Sequence, residues 1–133
     1  MNYNATDCYF TILEKHDTEQ IASLINEAYG NIQDELFGGI KRTSIDEVLE
    51  IFDQGYWFGL RNRKTDLLLA VRGLAIDECM AGHFCMRAVR TSHLGTGLGR
   101  HIFQLSSQFA LEKGVQKEPL IVTFLEKIHI QEY

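Results

Sequence analysis

Leu94-Gly95-Thr96-Gly97-Leu98-Gly99-Arg100 sets three glycines at alternate positions between an expected strand, Gly82 to Val89, and a helix expected to run to about Lys113. Glycine has no Cβ, so such a loop can turn sharply and let a ligand approach the backbone. The first N–H groups of a helix have no intrahelical acceptor, and the helix dipole places partial positive charge there. Strand, glycine loop and helix N-terminus together predict an anion site suited to a phosphate or pyrophosphate.

Two common phosphate loops are excluded by spacing. A dinucleotide fingerprint needs glycine three residues after Gly97, where Arg100 stands, and it opens the first βα turn of its domain. A nucleotide P-loop needs Gly-Lys-Ser/Thr, which is absent here. At 133 residues the chain is expected to be one domain with a hydrophobic core. A net charge of −5 argues against a nucleic-acid binder held by general electrostatics. Arg61, Arg63 and Lys64 read as solvating a hairpin loop. Cys8, Cys79 and Cys85 are odd in number and lack framework spacing, so they read as reduced thiols of a cytoplasmic protein. No leader opens the chain and no apolar run reaches membrane-spanning length, which predicts neither targeting nor membrane insertion.

The sequence contains no repeat and no linker. Cys8 to Leu13 reads as a strand. Asp17 with Gln20 then reads as a capping box, opening a helix with Ile21, Leu24, Ile25 and Ala28 on one face and its end near Tyr29-Gly30. Ser44 with Glu47 repeats the signature before a stripe of Ile45, Val48, Leu49 and Phe52, stopped by Gly55. Tyr56 to Leu60 and Leu67 to Ile76 read as a hairpin around a polar turn, Arg61 to Asp66. His83 to Val89 follows as a strand, expected to face Phe84, Met86 and Ala88 one way and His83, Cys85, Arg87 and Val89 the other. The helix after the glycine loop presents Leu98, Ile102, Leu105 and Phe109. Leu120 to Phe124 reads as a strand buried on both faces, reached by a parallel, right-handed crossover. The fold class is therefore α/β with a mixed central sheet, an antiparallel meander followed by a parallel β-α-β unit.

Ala88-Val89-Arg90-Thr91-Ser92-His93-Leu94-Gly95-Thr96-Gly97-Leu98-Gly99-Arg100 resembles motif A of the GNAT superfamily of acyl-CoA N-acyltransferases, whose run is A-V-x-P-x-x-R/Q-G-x-G-x-G-R. His83-Phe84-Cys85-Met86 resembles that family's Y-F-G-M approach, and the element order is similar from residue 8 onward. Leu94 stands where the family usually has Arg or Gln, and Thr91 where it often has Pro. Anion binding by such a loop is mostly a backbone property, so these departures weaken the expected site without abolishing it. Family members continue past the tyrosine matched by Tyr133 into two further strands, so a GNAT-like domain lacking its C-terminal strands is expected. Such a chain would be weakly active or inactive. Its apolar edge at Leu120 to Phe124 would seek another strand, most simply in a homodimer.

The resemblance implies transfer of an acetyl group from acetyl-CoA to a primary amine of a small molecule or peptide. Leu94, Gly95, Thr96, Gly97, Leu98, Gly99 and Arg100 would hold the CoA pyrophosphate, chiefly by backbone amides. Arg87, Ala88 and Val89 would pair with the pantetheine arm as with an added strand. Such a transfer needs a base, an oxyanion donor and an acid. Tyr133 matches the family's thiolate-protonating tyrosine, and a backbone N–H near Val89 would serve the oxyanion. Glu78 is the candidate base, with Asp77 and His83 nearby in sequence. Cys79, His83 and Cys85 lack a fourth ligand and a zinc spacing, so no metal is expected. No activating partner for Cys85 is evident, which favours direct transfer over an acyl-enzyme. The competing reading is a non-catalytic module that holds CoA or a partner protein.

Overall fold

The computed structural model describes residues 7–37 and 42–117. Four strands run antiparallel in chain order, β1 (Cys8–Ile12), β2 (Gly55–Asn62), β3 (Leu68–Ile76) and β4 (Ala81–Val89). A two-residue strand, β5 (Gln116–Lys117), lies parallel to Ala81 and Gly82 of β4. Helices α1 (Thr18–Phe37) and α2 (Ile45–Gln54) cover one face of the sheet, and α3 (Leu98–Glu112) covers the other. The strand expected at Leu120 to Phe124, and Tyr133, lie outside the described residues.

The two faces hold separate cores. Ile21, Leu24 and Ile25 of α1 and Val48 and Ile51 of α2 close over Trp57, Leu68 and Val71. The indole N–H of Trp57 is satisfied by the Val48 carbonyl at 3.0 Å. On the other face Leu98, Ile102 and Ala110 pack on Phe58, Leu60, Ala70 and Leu74. There the Phe109 ring meets Tyr56 and Phe58 edge-on, each at 5.2 Å between centroids.

Several local expectations are corrected. Ser44 does cap α2, accepting the Glu47 N–H at 3.2 Å. The buried stripe of α2, however, is Val48 and Ile51 with Phe52 beside them, while Ile45 is exposed. Helix α1 passes through Gly30 and ends at Phe37. One glycine in a helix interior costs only about 1 kcal/mol, too little to stop a helix packed along the sheet. Asp17 closes a short 3-10 turn (Lys15–Asp17) by accepting the Glu14 N–H at 2.9 Å, so the capping box lies three residues earlier than expected. Its other oxygen is committed to Arg61 at 2.8 Å, with both side chains about nine-tenths buried. Arg61 is thus a core cation and no part of a solvated loop; it also donates to the Asp66 carbonyl and to Gln20.

The face pattern of β4 is corrected too. Val71 opposes Ala88 and Gly73 opposes Cys85, so Met86 and Arg87 share one partner position, that of Arg72. This is a β-bulge, and Met86 takes a left-handed φ of 50° to make it. The extra residue shifts the alternation. Cys85, Met86 and Ala88 pack toward α1 and α2, while Phe84 and Val89 pack toward α3.

Removing one partner of a buried ion pair strands the other charge. Asp17→Ala is expected to cost about 3 kcal/mol, read as a lower urea midpoint at unchanged slope. A loss below about 0.5 kcal/mol would show that Arg61 is held well enough by its neutral partners.

Candidate functional site

The glycine loop leaves the sheet at the end of β4. The Arg90 N–H and Nε donate to the carbonyls of Leu69 and Leu68, at 2.8 and 2.9 Å, extending the pairing with β3. Thr91–His93 form a 3-10 turn, and the Thr96 hydroxyl donates back to the His93 carbonyl. Gly95 and Gly97 adopt φ of 76° and 90°, in the left-handed region that L side chains avoid. A Cβ built on either would meet no atom within 4 Å, so the backbone here borders open space. Gly97 caps α3, and the first helical bond is donated by His101 to the Gly97 carbonyl at 3.0 Å. Among the described residues none of the amides from Gly95 to Arg100 has a protein acceptor. Arg100 is exposed beside them. The far end of α3 closes with Gly114 and Val115 donating to the carbonyls of Leu111 and Ala110.

Arg87, the second residue of the bulge, and Ala88 and Val89 after it lie at the end of β4 next to this loop. Ala88 and Val89 pair with Val71 and Ala70 of β3; on the other side no described strand accompanies β4 beyond Gly82. The Tyr29 hydroxyl, from α1, donates to the Arg87 carbonyl at 2.8 Å and fixes the bulge from the helix side. From the sheet side the bulge faces Arg72, whose guanidinium donates to the Phe103 carbonyl and the Ser106 and Ser107 hydroxyls at 2.9–3.2 Å. It stacks 3.4 Å from the Phe84 ring centroid and 4.5 Å from that of Phe103. Burial, and then the neighbouring Arg87, pull Arg72 down to about 9, so it remains charged at neutral pH. No sequence motif marks Arg72, Tyr29 or Glu27, although an arginine inside the apolar run Leu67 to Ile76 was a visible anomaly.

The structure brings Arg87–Val89 and Leu94–Arg100 together and leaves Glu78 apart. Glu78 sits in the exposed β3–β4 turn, where Asp77 accepts the N–H groups of Cys79 and Ala81. Nine residues of β4, at roughly 3.3 Å each, separate that turn from the glycine loop. Leu94 is largely exposed and Leu98 is buried in the α3 core, so Leu98 can contribute only its backbone to a ligand. Cys85 is half-buried, and burial pushes its thiol up to about 11. Among the described residues no His, Cys, Asp or Glu side chains cluster as metal ligands, and no helix is long and apolar enough to cross a membrane.

No protein-family model matches the sequence, and no curated protein sequence matches it. Solved structures do. An acetyltransferase from Trypanosoma brucei superposes with a TM-score of 0.56 at 20% identity, over 84% of this chain and 80% of that one. An aminoglycoside acetyltransferase from an uncultured soil metagenomic sample, solved with sisomicin, gives 0.64 at 15% identity, over 84% and 75%. A GNAT-family acetyltransferase from Brucella melitensis, solved with acetyl-CoA, gives 0.63 at 12% identity, over 81% and 71%. The chain has the fold of the GNAT acetyltransferases.

Thiolate is the reactive form of cysteine, so reactivity follows exposure and pKa. With iodoacetamide at pH 8, exposed Cys79 is expected to alkylate first, with buried Cys8 and the raised Cys85 far slower. Peptide mass mapping reads the order; early labelling of Cys85 would contradict its burial.

Proposed function

We propose that this chain is an acetyl-CoA-dependent N-acetyltransferase acting on a primary amine of a small molecule or peptide. One observation carries the reading: consecutive amides from Gly95 to Arg100 have no acceptor among the described residues, and the backbone borders open space at Gly95 and Gly97, at the N-terminus of α3. That donor set suits the pyrophosphate of CoA, and Arg100 adds a cation at its rim. Arg87, Ala88 and Val89 would take the pantetheine arm along β4, where the bulge reorients the backbone beside the loop. Bound acetyl-CoA supplies an acetyl thioester. A backbone N–H near Val89 would face the developing oxyanion. Tyr133 would return a proton to the departing sulfur. Glu78 is the proposed base, and from the β3–β4 turn it would act on the ammonium only through intervening water. The Cys85 thiol, held near 11, is a poor nucleophile at neutral pH, which supports direct transfer. The aminoglycoside acetyltransferase among the structural neighbours supports a small-molecule amine as acceptor.

Calorimetry with CoA tests the cofactor. The wild-type chain is expected to bind with Kd between about 1 μM and 1 mM. Gly97→Val, forcing a β-branched residue into φ of 90°, should weaken binding about tenfold or more. Intact mass after incubation with acetyl-CoA should show no adduct. Absence of binding at millimolar CoA would overturn the reading, and an acetyl group on Cys85 that transfers to an amine would overturn direct transfer.

A further inference from the structure

The glycine loop is fastened to α1 by one carboxylate. Glu27 accepts the Thr91 hydroxyl on Oε1 at 2.8 Å, and its Oε2 lies 3.4 Å from Arg90 Nη1. Arg90 is itself tied to β3 through its backbone N–H and its Nε. Thr91 opens the 3-10 turn that leads to the loop: His93 N–H donates to the Arg90 carbonyl, and Thr96 bonds back to His93. A series of hydrogen bonds therefore runs from Glu27 of α1 through Arg90 and His93 to Thr96, the residue preceding Gly97, with the Thr91 hydroxyl tied to the same carboxylate. A side-chain contact from α1 thus fixes the chain at Thr91, where it leaves β4 for the loop. A carboxylate beside an anion loop opposes the ligand's charge, so its presence calls for a compensating role.

We propose that Glu27 is a positioning residue: through Thr91 and Arg90 it holds the 91–97 loop in the conformation that presents the Gly95–Arg100 amides to the CoA pyrophosphate. This rests on the acetyl-CoA reading above. Geometry and charge predict opposite signs. If Glu27 acted only through its field, Glu27→Ala would tighten CoA. If it holds the loop, Glu27→Ala loosens CoA, and Thr91→Val does so with no change of charge.

The test has two arms on the full chain. In the free protein, hydrogen exchange of the bonded amides that frame the loop, Arg90, His93 and His101, should accelerate by about threefold or more in Glu27→Ala and Thr91→Val, and stay as in wild type in Thr91→Ser, which keeps the hydroxyl. In calorimetry, CoA Kd should rise about 3- to 10-fold in the first two variants and recover in Thr91→Ser. A general loss of packing would not be rescued by that exchange of hydroxyl residues. Unchanged exchange in both variants, or CoA bound as tightly as by wild type or more so, overturns the proposal. A wild-type chain that binds no CoA overturns the cofactor reading and this proposal with it; the exchange arm, which contains no CoA, keeps that outcome distinct from a failure of Glu27 alone to hold the loop.

Discussion

Arg72 opposes two residues of β4, Met86 and Arg87, where its neighbours along β3 oppose one, and the geometry of the site descends from that mismatch. The extra residue turns Phe84, Arg87 and Val89 toward α3, while Cys85, Met86 and Ala88 turn toward α1 and α2. Phe84 is thereby set against the Arg72 guanidinium, with Phe103 of α3 on its other flank. A buried guanidinium is costly unless it is hydrogen-bonded, and here its Nη1 donates to three oxygens of α3. The same contacts seat α3 against the sheet. Since α3 begins at the glycine loop, the bulge and the loop are aligned by one buried side chain.

Helix α1 holds the opposite side of this arrangement. Within four residues it sends Asn26 to both backbone polar groups of Thr43, Glu27 to the start of the glycine loop, and Tyr29 to the carbonyl of Arg87. Strand end and loop are thus gripped between Arg72 on one face and α1 on the other. A loop whose amides are left unspent must be held by something other than those amides, and these side chains hold it.

What the sequence made legible follows from how local each signal is. The glycine loop, the Ser44 cap, the hairpin of Tyr56 to Ile76 and the end of α3 at Lys113-Gly114 are written in neighbouring residues, and the structure places them as expected. The bulge was not legible, because it exists only in the count of β4 residues against β3. Asp17 looked like a helix cap because Gln20 follows at the right spacing; its partner Arg61 is 44 residues away. Glu27 and Tyr29 carry no local signal beyond their place in a helix, and their bonds to Thr91 and Arg87 span 64 and 58 residues. Pairings of that range come from the fold. Arg72 is the distant feature with a local sign, a lone charge in an apolar strand, and that sign points to a buried, hydrogen-bonded cation.

The central claim is that unspent backbone amides of one loop form the ligand site, and amide chemical shifts report on those atoms directly. Titrating CoA into uniformly labelled protein should move the Gly95–Arg100 resonances most, with Arg87–Val89 next and the Cys79–Ala81 turn unmoved. Shifts concentrated away from the loop, or no saturable shift at all, would contradict the account.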